Sequence, residues 1–276
     1  MCKNCDLNKY SVLMTVYKKD NPLYFKMALD SMINQTLKPD EIIIVKDGEI
    51  TNELEDVICQ NKKRGNIIEV QLDKNVGLGK ALNEGLKMCK NELVARMDAD
   101  DISLPERCEK QVRKFKEYPN LDIVGCSVKE FVNEPNNIVG KRDVPSDNMS
   151  IRKYAKRRDP FNHPTVMYKK SKVLKYGPYK NYRKNQDTAL WIDLLSNNCI
   201  AANISEYLLL FRFDESTYKK RKTWINTKLL IQIRWNGFKI KFNSFFDFLI
   251  VAISQLAVYV LPINFQKYLY RNFLRS

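Results

Sequence analysis

Histidine is nearly absent from this chain: one residue in 276, at position 163. Glycine and proline are also sparse, nine and ten residues, while 44% of the chain is hydrophobic, so collagen-like, coiled-coil and disordered classes are excluded. Seven cysteines, at 2, 5, 59, 89, 108, 126 and 199, form an odd and irregularly spaced set unlike a secreted disulfide framework. Cys2-Lys-Asn-Cys5 has no second pair and His163 is remote, so it reads as a terminus with two thiols rather than a zinc site. The chain opens without an apolar stretch of signal-peptide length, and a cytosolic location is expected. Acidic residues are few for the cations present, 32 against 47 Lys and Arg, for a net charge of +15 with His neutral. That excess points to nucleic acid, phosphorylated ligands or an anionic membrane surface.

At roughly 100–200 residues per domain, the length suits one large domain with an appendage, or two small domains. Tyr10–Tyr17 is a short apolar run closed by the polar loop Lys18–Pro22. A helical pattern follows through Leu23, Met27, Leu29 and Ile33, ending near Pro39. Glu41-Ile-Ile-Ile-Val45, stopped by Lys46-Asp47-Gly48, reads as a strand buried on both faces. A helix over 52–64, a strand over Ile67–Leu72, a helix over 77–90 and a strand over Leu93–Met97 complete the alternation. Such alternation predicts a doubly wound α/β fold with a mainly parallel sheet. In these sheets ligands bind beyond the carboxyl ends of the strands. Three of the four ends offer a carboxylate: Asp47, Asp73 and the group Asp98-Ala99-Asp100-Asp101.

Asp98, Asp100 and Asp101 follow an apolar strand directly and precede Pro105, a residue suited to open a helix. Three carboxylates this close repel one another unless a cation or ligand offsets them. Mg²⁺ or Mn²⁺, which takes one or two carboxylates together with substrate phosphate oxygens, fits that pattern. The alternative is a helix N-terminus, with Asp101 or Ser103 as a cap.

The blocks Ser11–Tyr17, Pro39–Gly48, Asn75–Gly85 and Ala95–Asp101 occur in order, followed by Asp159–Met167, Asn185–Trp191 and Arg212…Arg221. Together they resemble the nucleotide-diphospho-sugar glycosyltransferases of family 2, which have the GT-A fold. The later blocks are similar to the bacterial capsule, O-antigen and exopolysaccharide branch, the amylovoran-type transferases. The resemblance covers about residues 10–222, and although each block alone is weak, all of them in order are specific.

The resemblance implies that Thr15, Tyr17 and Asp47 hold the base and ribose of the donor, with Tyr17 reading equally as a packing aromatic. It brings Asn75, Gly77 and Lys80 close to the nucleotide, although Gly77 and Gly79 also suit a tight turn before a helix. Asp98-Ala99-Asp100 corresponds to the metal-binding Asp-x-Asp motif, with Asp100 the more direct ligand, Asp98 a metal, ribose or water-mediated contact, and Asp101 a group orienting the donor sugar. Displacement at the anomeric carbon needs a carboxylate base on a separate segment. The family supplies it as the Asp of a Glu-Asp pair. Here the pair is Gln186-Asp187, so the first position departs from the pattern, and Asp187 is the expected base or else a helix cap. His163, with Asn162 and Thr165, is either structural or in contact with diphosphate or acceptor. Arg212 and the Lys219–Lys222 run are expected to steer or clamp the diphosphate. Trp191 is expected to pack its helix against the sheet.

From Lys219 to Lys241 there are eight basic and no acidic residues, and Phe248–Gln266 is then an uncharged run of 19 residues. About 20 apolar residues span a bilayer. Ser244, Asp247, Ser254 and Gln255 leave a polar stripe at helical spacing, Pro262 interrupts the end, and Lys267, Arg271 and Arg275 follow. A helix lying in the cytoplasmic interface accounts for charge and stripe together; a spanning helix and a core or dimer helix are the alternatives. Further cations at 152, 153 and 156–158, and at 169, 170, 172 and 175, suit the same surface, or RNA.

The expectation is a GT-A domain over 1–218 and a membrane-associating helical segment over 219–276. Its activity would be inverting, metal-dependent transfer from a nucleotide sugar, UDP-linked by family frequency, to a lipid-linked saccharide at the inner face of the cell membrane. A polyprenyl-phosphate acceptor, as in dolichol-phosphate-mannose synthase-like relatives, is the nearest alternative. Nucleic-acid binding leaves Asp98–Asp101 and the apolar tail unexplained, and a nucleotidyltransferase would carry glycine in the Tyr17–Pro22 loop.

Overall fold

The computed structural model describes residues 7–213 and 222–261. The Cys2/Cys5 pair, Lys219–Arg221, the 218/219 boundary and everything from Pro262 onward lie outside the described residues.

Strand β1 (Tyr10–Val16) leads through helix α1 (Pro22–Ile33) to β2 (Glu41–Lys46), α2 (Asn52–Gly65), β3 (Ile67–Gln71), α3 (Leu78–Met88) and β4 (Leu93–Met97). These strands lie parallel in the order β3-β2-β1-β4. Their β-branched and aliphatic runs are buried on both faces because α1 and α2 cover one side and α3 the other. The strand order reverses beside β1, so a crevice opens there between Tyr17 and Asp98.

Beyond β4 the sheet becomes mixed, which the alternation in the sequence did not reveal. Short β5 (Ile102–Ser103) and α4 (Arg107–Glu117) precede β6 (Ile123–Phe131), β7 (Ile138–Arg142) and α5 (Asn148–Ala155). A 3₁₀ turn at His163–Thr165, then β8 (Met167–Lys169), α6 (Lys170–Tyr176), α7 (Gln186–Ser196) and β9 (Ala201–Arg212) follow. β8 enters antiparallel between β4 and β6, β9 runs parallel to β6, and β5 pairs antiparallel with β9. The sheet is therefore mixed, with its doubly wound parallel part confined to residues 10–97.

Two further helices, α8 (Trp224–Lys239) and α9 (Phe245–Val260), form a hairpin beside α7. Ile233 and Phe242 join the core cluster that contains Trp191, which packs edge-on against Phe161 in the loop before the 3₁₀ turn. Ser244 and Asp247 form a reciprocal cap at the start of α9.

Asp247 and Gln255 of the polar stripe turn inward on α9 while its large apolar residues face out, the reverse of a surface helix. Asp247 and Val251 are buried, whereas Phe246 is 74% and Ile253 59% exposed, with Phe245, Ile250, Leu256 and Val260 on the same outer face. Two of the four stripe residues, Ser244 and Ser254, remain exposed, and the Ser254 hydroxyl bonds back to the carbonyl of Ile250.

Candidate active site

The loops after the parallel strands are stitched together. Asp47, buried after β2, accepts the main-chain N–H groups of Val76 (2.7 Å) and Gly77 (3.1 Å), while Asn75 donates its side-chain amide to the Asp47 carbonyl. Gly77 adopts φ +88°, a conformation that favours glycine. Gly48, at φ +84°, lies so close to this loop that a Cβ would come within 2.6 Å of the Asn75 nitrogen. Gly79 serves packing rather than the turn: it sits inside α3 beneath the carbonyl of Lys180, 2.8 Å from where a Cβ would be. Thr15 is half-buried at the end of β1, Tyr17 is exposed beside it, and Asn75 and Lys80 face solvent at the mouth.

The segment Asp98–Asp101 is held at both ends, by β4 in the sheet and by β5 against β9. Ligand atoms of Asp98, Asp100 and Asp101 lie within 4.8 Å of one another. Asp101 is buried and accepts the main-chain N–H of Arg212 at 2.8 Å. Helix α4 starts only at Arg107, so neither Asp101 nor Ser103 caps it. Burial, together with the charges of Asp100 and Asp98, pushes the Asp101 carboxyl well above the usual carboxylate range. Asp20, in the loop after β1, is raised to about 7, chiefly by burial and then by the same two neighbours. Three carboxylates thus converge on one spot, with Asp20 near enough to feel the charges of Asp98 and Asp100, and the hard oxygen donors of Asp98 and Asp100 fit a divalent cation.

Arg96, which sequence reasoning passed over, lies beneath this cluster. Its guanidinium pairs with Asp98, while Nε and Nη1 are buried with no hydrogen-bond partner. Burial opposes its charge, and Asp98 more than restores it. A lone charged residue within the apolar strand Leu93-Val-Ala-Arg-Met97 was the available signal.

Arg212 does not reach into the crevice. Its Nε donates to the Asp100 carbonyl (2.9 Å), its Nη1 to the Asn133 carbonyl (3.0 Å), and its plane lies 3.7 Å from the Tyr24 ring centre. In this arrangement it holds the acidic loop in place.

Asp187 stands in the first turn of α7. Asn185 is the N-cap residue, at φ 57°, and its side chain bonds Asn226 of α8 instead of the helix. Burial, then the charge of Asp159, raises the Asp187 carboxyl to about 6. Gln186 is buried with Oε1 unpaired. His163 is also buried, its Nε2 is 2.9 Å from the Tyr179 hydroxyl, and burial together with Arg96 holds its pKa well below the usual imidazole range. Asn162 donates to the Cys126 carbonyl, and Thr165 bonds Asn162 and Cys126, so both brace the turn that carries His163.

Asp98, His163, Gln186 and Asp187 line one cleft of about 480 Å³. Its far wall comes from Arg142, Arg157 and Arg158, and from α8 and α9. A larger hollow of about 940 Å³, between α4 and β9, holds none of the residues that sequence analysis singled out for the site.

Residues 11–182 match the profile of glycosyl transferase family 2. The chain belongs to that family. It is 38% identical over 270 residues to the UDP-Gal:alpha-D-GlcNAc-diphosphoundecaprenol beta-1,3-galactosyltransferase of Escherichia coli, covering 98% of each chain. It is 34% identical over 261 residues to the amylovoran biosynthesis glycosyltransferase AmsE of Erwinia amylovora, covering 95% of this chain and 97% of that one. Among solved structures, the mannosyltransferase PcManGT of Pyrobaculum calidifontis, in complex with GDP-Man and Mn²⁺, superposes with a TM-score of 0.64 at 15% identity, over 97% of this chain and 81% of that one. The family 2 protein is thus a glycosyltransferase with the GT-A fold, carrying a helical C-terminal part.

Proposed function

We propose that this family 2 transferase moves a sugar from a UDP-linked donor to a hydroxyl of a saccharide carried on a prenyl diphosphate, with inversion, in cell-surface polysaccharide synthesis. The observation that carries the reading is a single cleft lined by both Asp98 and Asp187, two carboxylates from separate segments. The E. coli relative, whose name specifies UDP-Gal and a diphosphoundecaprenol-linked acceptor, supports the substrate classes.

Thr15, Tyr17, Asp47, Asn75 and Gly77 bind the nucleoside, and Lys80 faces its phosphates. Asp98 and Asp100 hold a divalent cation, Mg²⁺ or Mn²⁺, whose chemistry there is to offset charge on the leaving diphosphate. Arg96 pairs with Asp98 and aims it, and Asp101 fixes the loop beside the donor sugar. Asp187 takes the proton of the acceptor hydroxyl as that oxygen bonds to the anomeric carbon and the bond to the diphosphate breaks. His163, neutral in its buried seat, and Gln186 border the space where donor sugar and acceptor meet.

The outer face of α9 docks on the inner leaflet. A contiguous exposed apolar face this large on a helix marks an interaction surface. The described helices include none long and apolar enough to cross a membrane. At 16 residues, α9 reaches about 24 Å, less than the roughly 30 Å hydrocarbon core. The test of the whole reading is incubation with UDP-sugars, Mn²⁺ and a prenyl-diphosphate-linked sugar. Label should pass to the lipid only when the metal is present; transfer that is indifferent to metal, or none with any nucleotide sugar, overturns it.

A further inference from the structure

The cleft has a second wall whose chemistry the transfer reaction itself does not use. Arg234, on α8, is 3% exposed. Its Nη1 donates to the Ala155 carbonyl and its Nη2 lies 3.5 Å from Asp159, while Nε is buried without a partner. A buried guanidinium with an unused donor is costly and invites an anion. Arg142 meets the same point, donating to the Asp159 carbonyl at 2.9 Å, which fixes its position without cancelling its charge. Arg157 is tied to Asp247 of α9 at 2.6 Å, and Arg158 follows it on the exposed rim. Leu230, Val251 and Val258 continue this wall as an apolar strip along α8 and α9.

We infer that Arg142, Arg158 and Arg234 form a subsite for the diphosphate of the acceptor, distinct from the carboxylates that serve the donor. The inference rests on the proposed lipid-linked acceptor and adds its recognition element. Arginine suits a diphosphate because its planar fork gives paired, charge-assisted hydrogen bonds. Four carboxylates share the cleft, Asp98, Glu130, Asp159 and Asp187, against five arginines, Arg96, Arg142, Arg157, Arg158 and Arg234, so its lining stays net positive even with Asp98 set against Arg96 and Asp159 against Arg234. The prenyl chain leaves along Leu230, Val251 and Val258 towards the apolar face of α9. Because Asp187 lines the same cleft as these arginines, the hydroxyl that reacts belongs to a sugar close to the phosphates, so the acceptor is a short lipid-linked saccharide and not a long one.

Calorimetry on the full chain, saturated with UDP and Mn²⁺ so that the donor site is closed, tests this with three probes: farnesyl diphosphate, farnesyl phosphate and farnesol. The wild type should bind the diphosphate at least about tenfold more tightly than the other two. Arg158→Gln and Arg234→Lys should each weaken that binding about 10-fold or more, with UDP–Mn²⁺ affinity changed by less than about twofold. Arg158 is exposed, so its variant carries the test should Arg234→Lys unfold. Equal affinity for the three probes, or variants that bind like wild type, overturns the subsite while leaving the acceptor reading intact. Loss of UDP binding in Arg158→Gln overturns the separation of the two phosphate sites. A wild type that binds UDP–Mn²⁺ but none of the probes overturns the lipid-linked acceptor, and the subsite with it.

Discussion

Asp101 and Arg212 are 111 residues apart in sequence, and the carboxylate of one holds the main-chain N–H of the other at 2.8 Å. The acidic loop is thereby closed against β9, and the Arg212 side chain completes the latch on the Asp100 carbonyl. Asp101→Ala should leave that N–H buried and unpaired, at a cost of about 1–3 kcal/mol. Urea unfolding measures the loss; an unchanged midpoint would remove the latch.

Asp187→Asn tests the base. General-base catalysis contributes about 10²–10⁴-fold, so turnover should fall by that order while UDP–Mn²⁺ affinity stays within about twofold. A variant that keeps half its turnover takes Asp187 out of the role.

The pH dependence follows from the same residue. As base Asp187 must be ionised, so kcat/KM should rise with pH through about 6, its raised value. The stability effect has the opposite sign. A carboxyl raised above its unfolded pKa favours the folded state at low pH, and that contribution is lost as pH rises through about 6. Asp187→Asn should therefore melt higher than wild type at neutral pH and no higher below pH ~3.8. Thermal melts at both pH values check it; an equal gap at both would assign the effect to something other than charge.

Asp100→Ala should abolish the Mn²⁺-dependent part of UDP binding and leave the metal-free part in place, because the base and ribose contacts lie on other loops. Titrations with Mn²⁺ and with EDTA separate the two; identical Mn²⁺ dependence in the variant rules out Asp100 as a ligand.

The apolar face of α9 is best tested by point substitution, since Ile233 and Phe242 belong to the core and removing the hairpin would open it. Phe246→Glu with Ile253→Glu changes two exposed positions. Binding to anionic vesicles should fall at least tenfold, because each burial contributes about 1.5–3 kcal/mol. Undiminished sedimentation with vesicles would move the docking surface elsewhere.

The parallel half of the fold was legible because long apolar strands alternate with amphipathic helices, and the strand ends of such a sheet are where ligands are expected. Asp47, Asp98 and Asp100 could be read from that placement alone, and Asp187 through its resemblance to a family pair. The mixed half was hidden: the strands that make its antiparallel joins to β4 and β9, β8 with three residues and β5 with two, are too short to show a period. Arg96 was overlooked because one charge in a strand carries no spacing. The arginine wall draws on positions 142, 158 and 234, which only the fold brings together. The stripe on α9 was seen, but a single helix does not reveal which of its faces has a neighbour, and here the Arg157–Asp247 pair draws Asp247 inward.

Asp47 spends both carboxylate oxygens on the loop after β3, and Gly48 lets that loop lie against it. The floor of the proposed nucleotide pocket is therefore ordered when the chain folds, and little conformational entropy remains to be lost when a ligand arrives. Gly48→Ala, which would force the loop away, should weaken the nucleotide chiefly by making it restore an order that the wild type already has.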